Sequence, residues 1–556
     1  MARVKILGLA VTTLVVTVAA ASAGTTAQSA PPGPPTPAVE TQTSTALSRP
    51  HTVLGYRNVV VIYQENHSFD NLFGTWGKVG GRRVTGLASA KRSHTVQLAQ
   101  DGTPYGCLPQ NDVNLAALPA TCADTAHNVT SAFKNRPFLI DDYIKPTDTT
   151  CPTPGGPSTP DGVRKGAGLP GGCTRDLVHK FYQEKYQING GKQNRYVTGS
   201  DAVGLTMGYY DTKQLPIYKY LHKAGAPKYV IADRFFQGAN GGSFLNHQWL
   251  ITGRAPVVDP QGAIPSDTVV PKSSVVDANG MPNKYLQYTP TSPVVDGQLT
   301  VKCADPTQLA NYRKACGNFA VNTVQPASVP YQAKSAAMPL IDDAKYPNIG
   351  DRMTAKGVSW AWYSGGWADA AAGHAGPLFQ YHHQPFNYFA DYAPGKPGRD
   401  HLQDETQFFT AARAGNLPTV SFVKPYGAEN EHPGYASANG GNKHLVDLVK
   451  AVQSGPQAKD TLVIITYDEF GGAWDHVSPP GPKSKTRGAY DAFGPGTRIP
   501  AILLSARMRH SGVDHTTYDT TSIIATQERS LHLKPVGIRD KKVSNLRHAV
   551  RVSRRH

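Results

Sequence analysis

The chain is short of charge: Asp, Glu, Lys and Arg together make up 17% of its 556 residues. Set against 39% hydrophobic residues, 26 Tyr and 17 Phe, this scarcity excludes a disordered polyelectrolyte and supports a buried core. Apart from a stretch running from Ile6 to about Ala20, no apolar run approaches membrane-spanning length, which argues against stable membrane insertion. There are only six cysteines and none has C-x-x-C spacing, so a zinc ribbon is excluded. G-x-S-x-G is missing around Ser243, which removes the nucleophile elbow of the α/β-hydrolases. H-E-x-x-H is absent, and with it zincin chemistry. No cysteine sits in C-x-P-x-R, the pattern wanted for a sulfatase with a modified cysteine, and no internal repeat is evident.

The formal charge of +16 invites a nucleic-acid reading, but its distribution argues otherwise. Residues 534–556 carry +7 and the first 23 residues +2, which leaves +7 for the remaining body. The basic tail is expected to be a solvated or surface-associating segment, and no nucleic-acid partner is expected. At the N-terminus, Arg3 and Lys5 precede the apolar stretch, and Ala21-Ser22-Ala23 follows as a cleavage-type site. That layout predicts a signal peptide over 1–23 and an exported protein, secreted or in the cell envelope. Residues 24–50, rich in Ala, Pro, Ser and Thr, are expected to be a disordered linker. An even cysteine set in an exported chain predicts disulfides, and sequence-local pairs 107/122, 151/173 and 303/316 are the expected choice among 15.

Short β-branched runs at 58–63, 229–232, 358–363, 419–423, 462–465 and 499–504 read as buried strands. Helices are expected at 209–225, at 519–531 and along the face Leu445, Val446, Leu448, Val449 and Val452 closed by Gly455. Alternation of the two predicts an α/β fold with a mostly parallel central sheet and helices on both faces. One domain is expected over 51–533, with 255–345, rich in proline and without periodicity, as an insertion.

In such sheets ligands bind beyond the carboxyl ends of the strands. Three polar stretches fall at that kind of position. Glu65-Asn66 follows the first strand, and Asp468-Glu469 follows the strand of DTLVIITYDEFGGAWDHVSPP, where Gly471-Gly472 permits a sharp turn before Asp475-His476. Adjacent carboxylates at the end of a buried strand are costly unless a cation neutralises them. Gly238–Ser243 is a small-residue loop that opens a helix over Phe244–Ile251. Ser243 there is either an N-cap or a nucleophile at an anion-binding helix start. His127, the pair His382-His383 and His432 lie beside other polar groups, and each gains weight only by converging on one site.

QENHSFDNLFG, GGSFLNHQWLITG, EHP and YDEFGGAWDHVSPP resemble, in that order, the motifs of the bacterial phosphoesterase family. That family holds secreted phospholipases C and broad-specificity acid phosphatases, within the alkaline phosphatase-like superfamily. The resemblance spans roughly 57–533. GGSFLNH, VHKFYQEKYQINGG, GLTMGYYD and FQYHHQPFNYF look more like the acid phosphatase branch. It implies Ser243 as nucleophile, and Glu65, Asn66, Ser243, Asp468 and Glu469 as ligands of a divalent metal. His382, His383 and His432 would act in proton transfer, and His127, His476 and Asn246 would contact a phosphate ester substrate. Hard oxygen ligands point to Mg, Mn or Ca, with Zn also open.

Overall fold

The computed structural model describes residues 50–554 apart from 110–118, 144–173, 258–273, 302–316, 327, 332–336 and 339. The expected leader, nearly all of the linker, and the cysteine pairs 151/173 and 303/316 lie outside the described residues. Cys107 and Cys122 form the expected disulfide.

Eight strands build the main sheet: β1 (Asn58–Gln64), β2 (Lys228–Ala232), β3 (Trp360–Ser364), β4 (Leu402–Asp404), β5 (Val420–Lys424), β6 (Thr461–Tyr467), β7 (Ala501–Ser505) and β8 (Gly512–Asp514). Their spatial order is β4-β3-β5-β1-β6-β7-β2-β8. All pairings are parallel except those of β7, which runs against both β6 and β2. β1 and β6 lie side by side near the middle and are buried at every residue. A strand covered on both faces has no use for polar alternation, so NVVVIYQ and TLVIITY are nearly continuous apolar runs. Their register pairs Tyr63 with Thr466 and Gln64 with Tyr467. The two strands therefore end level, and the residues that follow them leave from the same edge.

The helices that bear on the site or the core are α1 (Phe69–Phe73), α2 (Phe181–Ile188), α3 (Ser243–Thr252), α4 (Glu405–Ala414), α5 (Ala438–Gln453), α6 (Thr521–Leu531) and α7 (Arg547–Val552). In α5 the predicted apolar face is buried, but the helix is capped by Ser454 rather than closed by Gly455. The helix expected over 209–225 is confined to Pro216–Leu221, because proline starts it at its first turn.

The basic tail differs from the expectation. Leu546, Ala549 and Val550 are buried, and α7 packs on β8 and β2. Arg539 is buried as well, with its NH2 2.5 Å from Oδ1 of Asp491. Its positive charge masked an apolar i, i+3, i+4 pattern that docks the segment on the sheet. The insertion at 255–345 contributes a small antiparallel pair, Leu299–Val301 with Gly317–Phe319, and Phe319 packs against Phe493.

Candidate active site

Ser243 is the first residue of α3, and the preceding Gly242 is the N-cap. The serine side chain therefore makes no capping bond, and the capping reading of Ser243 is set aside. Its hydroxyl instead donates to Oε2 of Glu65 at 3.2 Å and approaches Oδ1 of Asn66 at 3.4 Å. Asn66 is left-handed, with φ of 59°, which swings it back so that its backbone N–H donates to Oδ1 of Asp468 at 3.2 Å. Gly471 and Gly472 follow with φ of 61° and 73°. A Cβ at Gly471 would collide with the Asn66 carbonyl, so this glycine is required both by conformation and by close approach. Glu65, Asn66, Ser243, Asp468 and Glu469 thus converge at the shared edge of β1 and β6.

Histidines close the other sides. His383 places Nε2 2.9 Å from Oε1 of Glu65, and His382 packs edge-on against it with ring centroids 4.8 Å apart. His432 has Nε2 4.0 Å from Oε2 of Glu65 and stacks on Tyr435. Three side chains that the sequence reading did not name join them. Lys424, the last residue of β5, forms a fully buried ion pair with Oε1 of Glu65. His247 lies one turn along α3 and stacks on His383 with centroids 5.2 Å apart. His179 brings Nε2 to 3.7 Å from Oε1 of Glu469 and its ring to 5.8 Å from that of His432. Signals existed for two of them: His247 sits at i+4 from Ser243, hence on the same helix face, and His179 lies inside VHKFYQEKYQINGG.

Hydrogen bonds to backbone carbonyls orient these rings. Nδ1 of His179 lies 2.6 Å from the Leu177 carbonyl, that of His247 2.7 Å from the Ser243 carbonyl, and that of His432 2.6 Å from the Pro433 carbonyl. Each carbonyl demands the proton on Nδ1, so a neutral ring offers its Nε2 lone pair to the site. Burial pushes His383 down to about 4, with the neighbouring Lys424 adding to it against the pull of Glu65, and lowers His247, His382 and His432 as well.

The carboxylates divide sharply. Burial alone would raise Glu65, but Lys424 and His383 hold it well below the usual carboxylate range. Burial, then the charge of Glu65, pushes Asp468 up to about 7; burial, then Asp468, raises Glu469 far above normal. Asp468 Oδ2 and Glu469 Oε1 are buried without a hydrogen-bond donor. Two such bare oxygens facing a set of imidazole lone pairs suit a divalent cation. Glu65, His247 and His383 have ligand atoms within 4.8 Å of one another, as do Asp176, His179 and His432.

Three expected substrate contacts are not brought here. His127 bonds Asp124 at 2.7 Å and Thr103 at 2.8 Å, so its ring is spent on a neighbouring loop. Asn246 is wholly buried; it accepts from the Ala239 N–H at 2.9 Å and donates to the Gly241 carbonyl at 2.9 Å, which makes it a brace for the Ser243 loop. Glu184 on α2 braces the same loop, accepting from the Gly241 N–H at 2.6 Å. His476 bonds Asp70 through Nδ1 at 2.5 Å, and its Nε2 meets Ser89 at 3.1 Å.

A serine at a helix start, ringed by imidazoles and bare carboxylates at the carboxyl edge of a parallel sheet, is the constellation of a phosphoryl-transfer hydrolase. The model of the Phosphoesterase family matches residues 56–534, and the chain belongs to that family, whose members are hydrolases of phosphoric ester bonds. Phospholipase C B of Mycobacterium tuberculosis (strain H37Rv) is 23% identical over 500 residues, covering 84% of this chain and 71% of that protein. A non-hemolytic phospholipase C of Burkholderia pseudomallei is 30% identical over 212 residues, 32% of this chain and 28% of the relative. The chain thus spans little more than a quarter of that relative's length. Non-specific phospholipase C6 of Arabidopsis thaliana is 29% identical over 154 residues, 24% of this chain and 29% of that one. Among solved structures, an alkaline phosphatase superfamily protein from Vibrio parahaemolyticus is 11% identical over 35% of this chain and 50% of its own, at a TM-score of 0.21, too low to carry an argument.

Proposed function

We propose that the chain is an exported, metal-dependent phosphatase that hydrolyses phosphate monoesters broadly through a phosphoserine at position 243. The observation that carries this is the hydroxyl of Ser243 at the α3 N-terminus, uncommitted to capping and 3.2 Å from a Glu65 held ionised, among His247, His382, His383 and His432, which burial keeps neutral. Glu65, Asn66, Asp468, Glu469 and Ser243 would hold a divalent cation, with His247 as an added nitrogen donor. When bound, that cation would offset charge on the phosphoryl oxygens and acidify the serine hydroxyl.

The backbone N–H groups at the helix start receive the non-bridging oxygens of the phosphate. As Ser243 Oγ bonds phosphorus, its proton passes to the Glu65 carboxylate that it already faces. The P–O ester bond breaks in line, opposite Oγ, and the departing oxygen takes its proton from solvent water. In the second half, the Nε2 lone pair of His432 takes a proton from water, whose oxygen bonds phosphorus as the P–Oγ bond breaks. Ser243 Oγ recovers its proton from Glu65, phosphate leaves, and His432 returns its proton to solvent. The GGSFLNH and FQYHHQPFNYF motifs, similar to the acid phosphatase branch, support the monoester reading.

A specific observation favours a second reading, a phospholipase C cleaving phosphodiesters. Val275, Val276, Leu286 and Val295 are exposed on the insertion, and Asp296 ties that segment to Lys180, next to His179, at 3.1 Å. Apolar side chains beside a phosphate site suit a lipid surface. Rates on p-nitrophenyl phosphate and p-nitrophenylphosphorylcholine separate the two: the monoester should turn over faster. Turnover of the diester alone would replace the phosphatase reading with the lipase one.

A further inference from the structure

We infer that a second pocket, apart from the Ser243 centre, binds a small ligand carrying several phosphate or sulfate groups. The cavity has a volume of about 690 Å³, within the range of small-molecule sites. Five cationic side chains line it: Lys91, Lys192, Arg234, Lys483 and Lys485. Among the described residues, no Asp or Glu lines it, and it shares none with the Ser243 cluster.

Among the described residues, none of the five cations has a carboxylate oxygen within ion-pair distance, although ion pairs abound elsewhere in the molecule. Arg234 lines the cavity, and its buried Nε has no hydrogen-bond acceptor. Like charges around one concavity repel each other and focus their field inward, which raises the local concentration of anions. The remaining wall is polar, with the hydroxyls of Ser89, Ser93 and Thr486 on it. Gly190 and Gly191 line it too, at φ of 63° and 95°; a Cβ on Gly190 would come within 3.5 Å of the Lys483 side chain.

One phosphate would satisfy two or three of these cations, so five point to a ligand with more than one anionic group. The set is unlike the Ser243 centre, where carboxylates and imidazoles dominate. Nothing in it supplies a nucleophile beside a cation-binding carboxylate pair, so the site is read as one for binding.

Inositol hexasulfate tests this, since its sulfate esters are a poor metal chelator and are not phosphoesters. Titration calorimetry on the full chain should give one tight equivalent at low salt. Replacing the exposed pair by Lys483→Glu with Lys485→Glu should weaken it at least tenfold and leave hydrolysis of p-nitrophenyl phosphate unchanged. The control pair Lys219→Glu with Lys223→Glu, also exposed and of equal charge change, should leave the affinity as it was. Absence of binding in the parent chain overturns the inference. Equal losses in both double variants would also overturn it, reducing the effect to net charge.

Discussion

Arg498 grips Asp475 with both ends of its guanidinium: Nε lies 3.0 Å from Oδ1, and NH2 lies 3.0 Å from Oδ2. The same NH2 reaches Oδ1 of Asp70 at 3.0 Å, and Asp475 in turn accepts from the Asp70 backbone N–H at 2.9 Å. Asp70 follows β1 and Asp475 follows β6, so one buried cation clamps the two loops that carry Glu65-Asn66 and Asp468-Glu469. Its outer members include His476, whose role is thereby one of holding the loop rather than touching substrate. Arg498→Met should cost about 3–5 kcal/mol, because two buried carboxylates lose their partner. Denaturant unfolding of variant and parent checks this; a loss under about 1 kcal/mol would mean that the clamp is not a structural element.

Gly471 makes a sharper local test. Its left-handed backbone and the Asn66 carbonyl against it forbid a side chain. Gly471→Ala should lower stability by about 1–3 kcal/mol and displace Asn66 from Ser243. Gly481, where a Cβ meets nothing within 4 Å, is the comparison site, and Gly481→Ala should behave as the parent in both thermal melts and hydrolysis.

Glu528 sets a pH dependence away from the active site. Burial and the adjacent Asp540 push its carboxyl up to about 8. In the unfolded chain it titrates near 4.5, so between these values the folded state holds a proton that the unfolded state has lost. Its contribution is fully present below about 4.5 and is lost as pH rises through about 8. Glu528→Gln should therefore flatten the fall in urea midpoint between pH 5 and pH 9; an unchanged slope would refute the assignment.

Much of this architecture was legible because central strands of a parallel sheet are written as apolar runs. The β-branched segments at 58–63 and 462–465 could be nothing else at that length, and their polar sequels marked the site. What escaped did so for physical reasons. Lys424 reads locally as the solvated end of a strand, and only its pairing beside β1 sets it on Glu65. His127 and His179 lie in equally loop-rich sequence, and nothing local says which one folds back onto the site. Asn246 has the right spacing for substrate but spends its amide on the loop before Ser243. In the tail, eight basic residues concealed the few apolar ones that dock α7.

The bare oxygens of Asp468 and Glu469 predict metal dependence. Chelation followed by gel filtration should abolish phosphoester hydrolysis, and add-back of Mg, Mn, Ca or Zn, one at a time, should restore it with a clear order of preference. Full activity in protein shown by elemental analysis to hold no divalent metal would remove the cation from the site.

The central claim is that phosphorus passes through Ser243. Acid quenching of the enzyme during turnover of p-nitrophenyl phosphate, followed by peptide mass spectrometry, should find 80 Da on the peptide containing Gly242-Ser243-Phe244, and Ser243→Ala should lose both that adduct and at least about 10³-fold in kcat/KM. Phosphate on another residue, or an undiminished rate in Ser243→Ala, would contradict it.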